Sequence, residues 1–267
     1  MVAFYRDGLG FRIIGESAER TTLSATGAAP ALLELERAAD APARPAGTAG
    51  LFHVAFLYPD RAALGRIARR LTEQRVRFAT GDHGVSEALY LDDPEGNGVE
   101  LYVDRPVEAW PPAGPDGDVT MYTIAVDLAS LIAEGAHASG PLLPESVRIG
   151  HVHLCVSDLG VAEQFYSRLL GFPVRQRNFP GALFLGRDRY HHHFGANIWQ
   201  SHRPAVPGVL GLARFTIEFT EAAAREQVLA ALRGAGCDLT ERGGIVRTHD
   251  RDGIEVRIAG PDSAGAP

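Results

Sequence analysis

The octapeptide FYRDGLGF at residues 4–11 returns 161 residues later as FYSRLLGF at residues 165–172, sharing F-Y-x-x-x-L-G-F. A repeat at fixed offset forces the chain to be read as a tandem duplication, because each copy must satisfy the same local structure. A second pair at the same offset supports this. GLFHVAFLYPDRAALGRIARRL from Gly50 resembles GLARFTIEFTEAAAREQVLAAL from Gly211, each an alternating strand followed by an amphipathic helix. Every half therefore holds two modules.

The modules also resemble one another. LFHVAFLYPD from Leu51 and IGHVHLCVSD from Ile149 each read as strand, turn and helix start, with Asp60 and Asp158 as N-caps. Short β-like stretches follow: FRIIG, TTLSA, ALLELE, ALYLDD and GVELYVD in the first half, then PVRQR, ALFLG, HHFGANIW, GIVRTH and IEVRIA in the second. Gly, Pro, Asn and Asp turn signals separate them. The unit is β-α-β-β-β, and the fold class expected is α+β, four such modules paired into two domains with cupped mixed sheets. The third module places His151 14 residues before Phe165, and the same spacing ahead of Phe4 falls outside the chain, so the first module is expected to lack its first strand. An unpaired sheet edge of this kind invites association with another chain, a homo-oligomer included.

The domain boundaries expected are 1–104 for the N-terminal domain, 105–148 for a linker or bridging segment containing one short apolar stretch, DLASLIAE, 149–260 for the C-terminal domain and 261–267 for a tail. Residues 38–47 read as a looser join inside the first half.

Composition limits the function classes. The chain has no lysine, its 26 cations are scattered arginines, and its net charge is −7, which argues against a nucleic-acid surface or a polybasic membrane patch. Two isolated cysteines, Cys155 and Cys237, cannot make a disulfide framework or a cysteine zinc site. The start lacks an apolar core and a cleavage site, and no apolar run approaches the roughly 20 residues of a membrane span. A soluble, cytoplasmic protein is expected.

Residues 81–102, GDHGVSEALYLDDPEGNGVELY, are the richest in chemistry. DPEGNG is a turn that fixes the register of GVELY, and alternation then puts Val99 and Leu101 on one face and Glu100 on the other. In LFHVAFL, His53 likewise sits opposite Phe52, Val54 and Phe56. If these strands line one cupped sheet, His53 and Glu100 converge on its concave face. With one further histidine they would make a two-histidine, one-carboxylate set that leaves positions open on Fe(II).

This stretch, with Gly81, His83, Leu89, Tyr90, Asp93, Pro94, Gly96 and Glu100 in register, resembles the signature of extradiol ring-cleavage dioxygenases. GHVHL at Gly150, Tyr190 followed by three histidines, and the repeats resemble their catechol 2,3-dioxygenase branch, within the vicinal oxygen chelate superfamily. The resemblance implies opening of a catechol-like aromatic diol by O2 with Fe(II), or Mn(II), to a muconic semialdehyde. It implies His53 and Glu100 as metal ligands, a third ligand from the missing first strand, His83 as acid or base, and Tyr90 as a substrate hydrogen-bonding group. In the second half His151, His193 and Glu255 form a weaker candidate site, since Arg214 replaces His53 at the repeat offset. Two rival readings stand beside this. One is a binding protein that holds a small molecule without turnover. The other is a metal-dependent lyase or isomerase of the glyoxalase type, which would need Glu34 as a ligand.

Overall fold

The computed structural model describes residues 1–114 and 116–261. In chain order the strands and helices are β1 (Arg12–Glu16), β2 (Arg20–Ser24), β3 (Leu33–Glu36), β4 (Gly47–Thr48), β5 (Gly50–Leu57), α1 (Arg61–Glu73), β6 (Ala79–Asp82), β7 (Ser86–Asp92), β8 (Gly98–Asp104), α2 (Leu128–Ala136) and β9 (Arg148–Cys155). There follow α3 (Leu159–Ala162), β10 (Val174–Gln176), β11 (Ala182–Leu185), β12 (Phe194–Asn197), β13 (Ser201–Arg203), β14 (Arg214–Glu218), α4 (Ala222–Gly234), β15 (Thr240–Arg242), β16 (Ile245–His249) and β17 (Glu255–Ala259). The chain is α+β with mixed sheets. The expected tail beyond Pro261 lies outside the described residues.

Two compact units emerge, Met1–Ala39 with His53–Val152, and Asp40–Phe52 with the chain from His153 onward. The chain passes between them within β5, after Phe52, and within β9, after Val152. In the first unit, strands run in the order β9-β5-β8-β7-β6, and β1-β2-β3 form a separate antiparallel sheet. β5 and β8 are parallel, whereas β8, β7 and β6 are antiparallel. Each element has a local cause. Asp60 caps α1 by accepting from the Ala63 N–H at 2.7 Å. The helix then buries Leu64, Ile67 and Leu71 against Val54, Phe56, Val99 and Leu101, the inward set of β5 and β8. Those apolar side chains exclude water from one sheet face, each worth roughly 1.5–3 kcal/mol on burial. Their alternates, including His53 and Glu100, are left to the other face.

Residues 105–148, expected as a linker or bridging segment, fall within the first unit. α2 starts at the Asp127 cap and crosses α1 so closely that a side chain at Gly65 would overlap the Leu131 carbonyl. Arg61 of α1 donates to Glu87 at 2.6 Å and to Glu134 of α2 at 2.7 Å. Arg105 donates to Asp82 at 2.7 Å and Glu87 at 3.1 Å. Such bridging charges position elements more than they stabilise them.

In the second unit, β10-β11-β12 are antiparallel, β13 pairs with β4, and β14-β17-β16-β15 form a four-stranded sheet. The repeated FY dipeptides do the same work in both units. Each sits in a wide helical turn, Phe4–Gly8 or Glu163–Leu169. Tyr5 donates to Asp93 at 3.2 Å, and Tyr166 donates to Asp250 at 2.7 Å. Each aspartate in turn accepts two backbone N–H bonds from the turn it begins, from Glu95 and Asn97 or from Asp252 and Ile254.

Candidate metal centre

Three donor groups of the first unit converge. Glu100 stands on β8, held in register by Tyr90 across β7 and Ala55 across β5. His53 stands on β5 and His151 on β9, the neighbouring strand. Nε2 of His53 and Nε2 of His151 each lie 2.9 Å from the same Glu100 oxygen, Oε2, and 3.3 Å from one another. All three side chains are buried, with residue exposures of 6%, 2% and 3% for His53, Glu100 and His151. Burial favours the neutral acid, but the imidazoles of His151 and His53 outweigh it and hold the Glu100 carboxyl well below the usual carboxylate range.

The geometry suits a metal ion. Donors about 2.1 Å from one ion and at right angles to one another are about 3 Å apart, and these three separations match that spacing. Two imidazole nitrogens and a carboxylate on one face of an ion are the donor set of a non-haem Fe(II) centre. Among the described residues this is the one cluster of three or more such groups at metal-binding spacing.

The sequence pattern groups His151 with His193 and Glu255 and expects the third donor ahead of Phe4. That expectation pairs the two modules within each half. The first strands of the second and third modules, β5 and β9, are the neighbours instead, and this brings His151 to His53 and Glu100. His193 and Glu255 lie in the second unit. His193 Nδ1 accepts from the Arg187 N–H at 3.2 Å, and Glu255 accepts from Arg257 at 2.8 Å. Glu34, exposed on β3, is paired with Arg20 at 3.4 Å and is absent from the cluster.

His83 and Tyr90 are joined beside the triad. His83 Nε2 lies 2.8 Å from the Tyr90 hydroxyl, and the Tyr90 ring centre is 5.6 Å from that of His53. Burial, then the Glu100 charge and hydrogen bond, push the Tyr90 phenol well above its ordinary range, so it keeps its proton. Two further groups lie beside these residues. Tyr102, fully buried two residues after Glu100, sets its ring 4.9 Å from that of His151. Alternation along GVELY carries that signal, since residues 100 and 102 share a face. The other is the backbone at Tyr122, whose carbonyl meets His83 Nδ1 at 2.9 Å. Nothing in the side-chain pattern marks it.

The profile of the Glyoxalase/Bleomycin resistance protein/Dioxygenase superfamily matches residues 1–101 and 148–258. The chain is 38% identical over 252 residues to a catechol-2,3-dioxygenase of Bacillus subtilis strain 168, covering 92% of this chain and 87% of that one. A solved structure from Bacillus subtilis subsp. subtilis strain 168 shares the fold with a TM-score of 0.65 at 13% identity, over 97% of this chain and 80% of that chain. Glyoxalase I of Zea mays does so with a TM-score of 0.52 at 16% identity, over 98% and 88%. This chain belongs to the Glyoxalase/Bleomycin resistance protein/Dioxygenase superfamily.

Proposed function

We propose that the chain is an extradiol dioxygenase that opens a catechol-like aromatic diol with Fe(II) and O2 to a muconic semialdehyde. The observation that carries the reading is the convergence of His53, Glu100 and His151 on one point, with His83 and Tyr90 joined beside it. The 38% identity to a protein named catechol-2,3-dioxygenase supports it further.

His53, Glu100 and His151 would hold an iron(II) ion, which would supply the Lewis-acid and redox chemistry that lets a diol react with dioxygen. The protein's own groups do the rest. The Tyr90 phenol stays protonated beside the cluster and able to donate to a substrate oxygen. His83 takes up a hydroxyl proton at Nε2 and returns it as the ring opens. A positioned group of this kind contributes about 10²–10⁴ in rate. The carbon–carbon bond beside one hydroxyl breaks, and both atoms of O2 end in the product. No helix among the described residues is long and apolar enough to cross a membrane.

The test is anaerobic loading with Fe(II), followed by catechol and ¹⁸O2. The expected product is a ring-opened semialdehyde carrying two labelled oxygens. An iron-loaded protein that consumes neither catechol nor a panel of substituted catechols would overturn the proposal.

A further inference from the structure

The segment between the two halves does more than connect them. From Asp118 onward it returns to the β6–β7 turn and lies along it. The Asp82 N–H donates to the Ile124 carbonyl at 2.8 Å, and the Ile124 N–H donates back to Asp82 at 3.0 Å, forming an antiparallel bridge. The Tyr122 N–H reaches the His83 carbonyl at 3.4 Å. Gly84, at φ +77°, makes the close approach feasible, because a side chain there would run into the Tyr122 ring and Pro111. Asp82 itself is held by Arg105 at 2.7 Å and accepts from the Gly84 N–H at 2.9 Å, so the turn beneath the bridge is fixed on both sides.

That arrangement places one carbonyl oxygen, that of Tyr122, 2.9 Å from Nδ1 of His83. A carbonyl oxygen only accepts, so a bond at this distance requires a proton on Nδ1. The Thr123 hydroxyl lies 3.2 Å from the same nitrogen. It could donate to a bare Nδ1, but that state would leave two lone pairs facing each other across 2.9 Å at the Tyr122 carbonyl. The carbonyl therefore decides. Both the neutral ring with its proton on Nδ1 and the imidazolium satisfy it, and in both the exchangeable position is Nε2, which faces the Tyr90 hydroxyl at 2.8 Å.

We infer that residues 122–124 act as a positioning strap that locks His83 in the Nδ1–H form, so that every proton His83 gives or takes passes through Nε2, the nitrogen on the Tyr90 side. Tyr122 and Ile124 touch the histidine or its turn and not the metal cluster, so they are positioning residues. The inference rests on the proposed dioxygenase reading for its purpose, but not for its test.

The test is ¹⁵N–¹H correlation spectroscopy of histidine-labelled, metal-free protein at about pH 9, where imidazoles are neutral. The signals of His83 are assigned by their loss in His83→Asn. The expected pattern is a protonated Nδ1 and a bare Nε2. Ile124→Pro removes the donor to Asp82 and disfavours the conformation of the residue before it, so the strap lifts. The ratio of tautomers then moves toward Nε2–H by about fivefold, the weight of one net hydrogen bond. Thr123→Val leaves the pattern unchanged. A bare Nδ1 in the wild-type chain overturns the inference, as does a switch of tautomer in Thr123→Val, which would assign the lock to the hydroxyl. Because no metal, diol or oxygen enters the measurement, a failed ring-cleavage assay leaves it intact.

Discussion

The second and fourth modules share a fold and differ where chemistry is decided. Asp93 opens the turn before β8 and Asp250 opens the turn before β17 with the same backbone bonds, so the two turns set a common register for the strands that follow. In that register Glu255 takes the place of Gly98, and Arg257 takes the place of Glu100. Arg214, which pairs across the sheet with Glu255 as His53 pairs with Gly98, takes the place of His53. Two ligand-type positions in one module are thus two guanidiniums in the other. A guanidinium keeps its proton and offers no lone pair to a metal. The scaffold tolerates either set because the apolar alternates, Val99 and Leu101 or Val256 and Ile258, carry the packing. Duplicating a frame copies its turn and core, while the opposite face of the sheet is free to change function.

The largest expected difference between the two modules is in metal binding. Glu100→Gln should lose iron by more than the 10–100-fold that removal of a group behind a ligand costs, and Glu255→Gln should bind iron as the wild type does, both read by metal analysis after anaerobic loading. His83→Asn should keep its iron and lose about 10²–10⁴ in kcat, measured by the rate of ring opening. A variant that loses iron instead would move His83 into the metal shell.

The paired aspartates offer a finer comparison. Burial, opposed by the Tyr166 bond and the backbone donors, pushes the Asp250 carboxyl up to about 6, above its ordinary 3.8. The folded chain therefore binds a proton there more tightly than the unfolded chain, and stability falls as pH rises from about 4 to about 6. Above that window the charged carboxylate costs about 3 kcal/mol relative to acid pH. Asp250→Asn should flatten this part of the stability profile in denaturant titrations, and an unchanged slope would assign it to other groups. Smallest of all, Tyr5→Phe and Tyr166→Phe should each cost about 1 kcal/mol, the net worth of one hydrogen bond, in the same titrations.

Much of this was legible in the sequence because it is local or periodic. The repeat, the two helix caps at Asp60 and Asp158, and the strands with alternating apolar residues all follow from short-range rules. Strands β6, β15 and the short pair β4 and β13 were not legible, since ATGD, TER, GT and SHR have no apolar alternation. The signature put His53, Glu100, His83 and Tyr90 forward as candidates by residue type and register. The neighbour that brings His151 was not readable, because which module edge meets which is decided by pairing between strands nearly 100 residues apart. The strap on His83 was hidden for a related reason: a carbonyl oxygen has no residue identity.

The central claim is that His151, from the third module, joins His53 and Glu100 of the second in one metal centre. Iron per chain after anaerobic loading, measured for wild type, His151→Ala and His193→Ala side by side, tests it most directly. The account predicts about one iron in the wild type and in His193→Ala and a loss of iron in His151→Ala. Full iron retained by His151→Ala would contradict it.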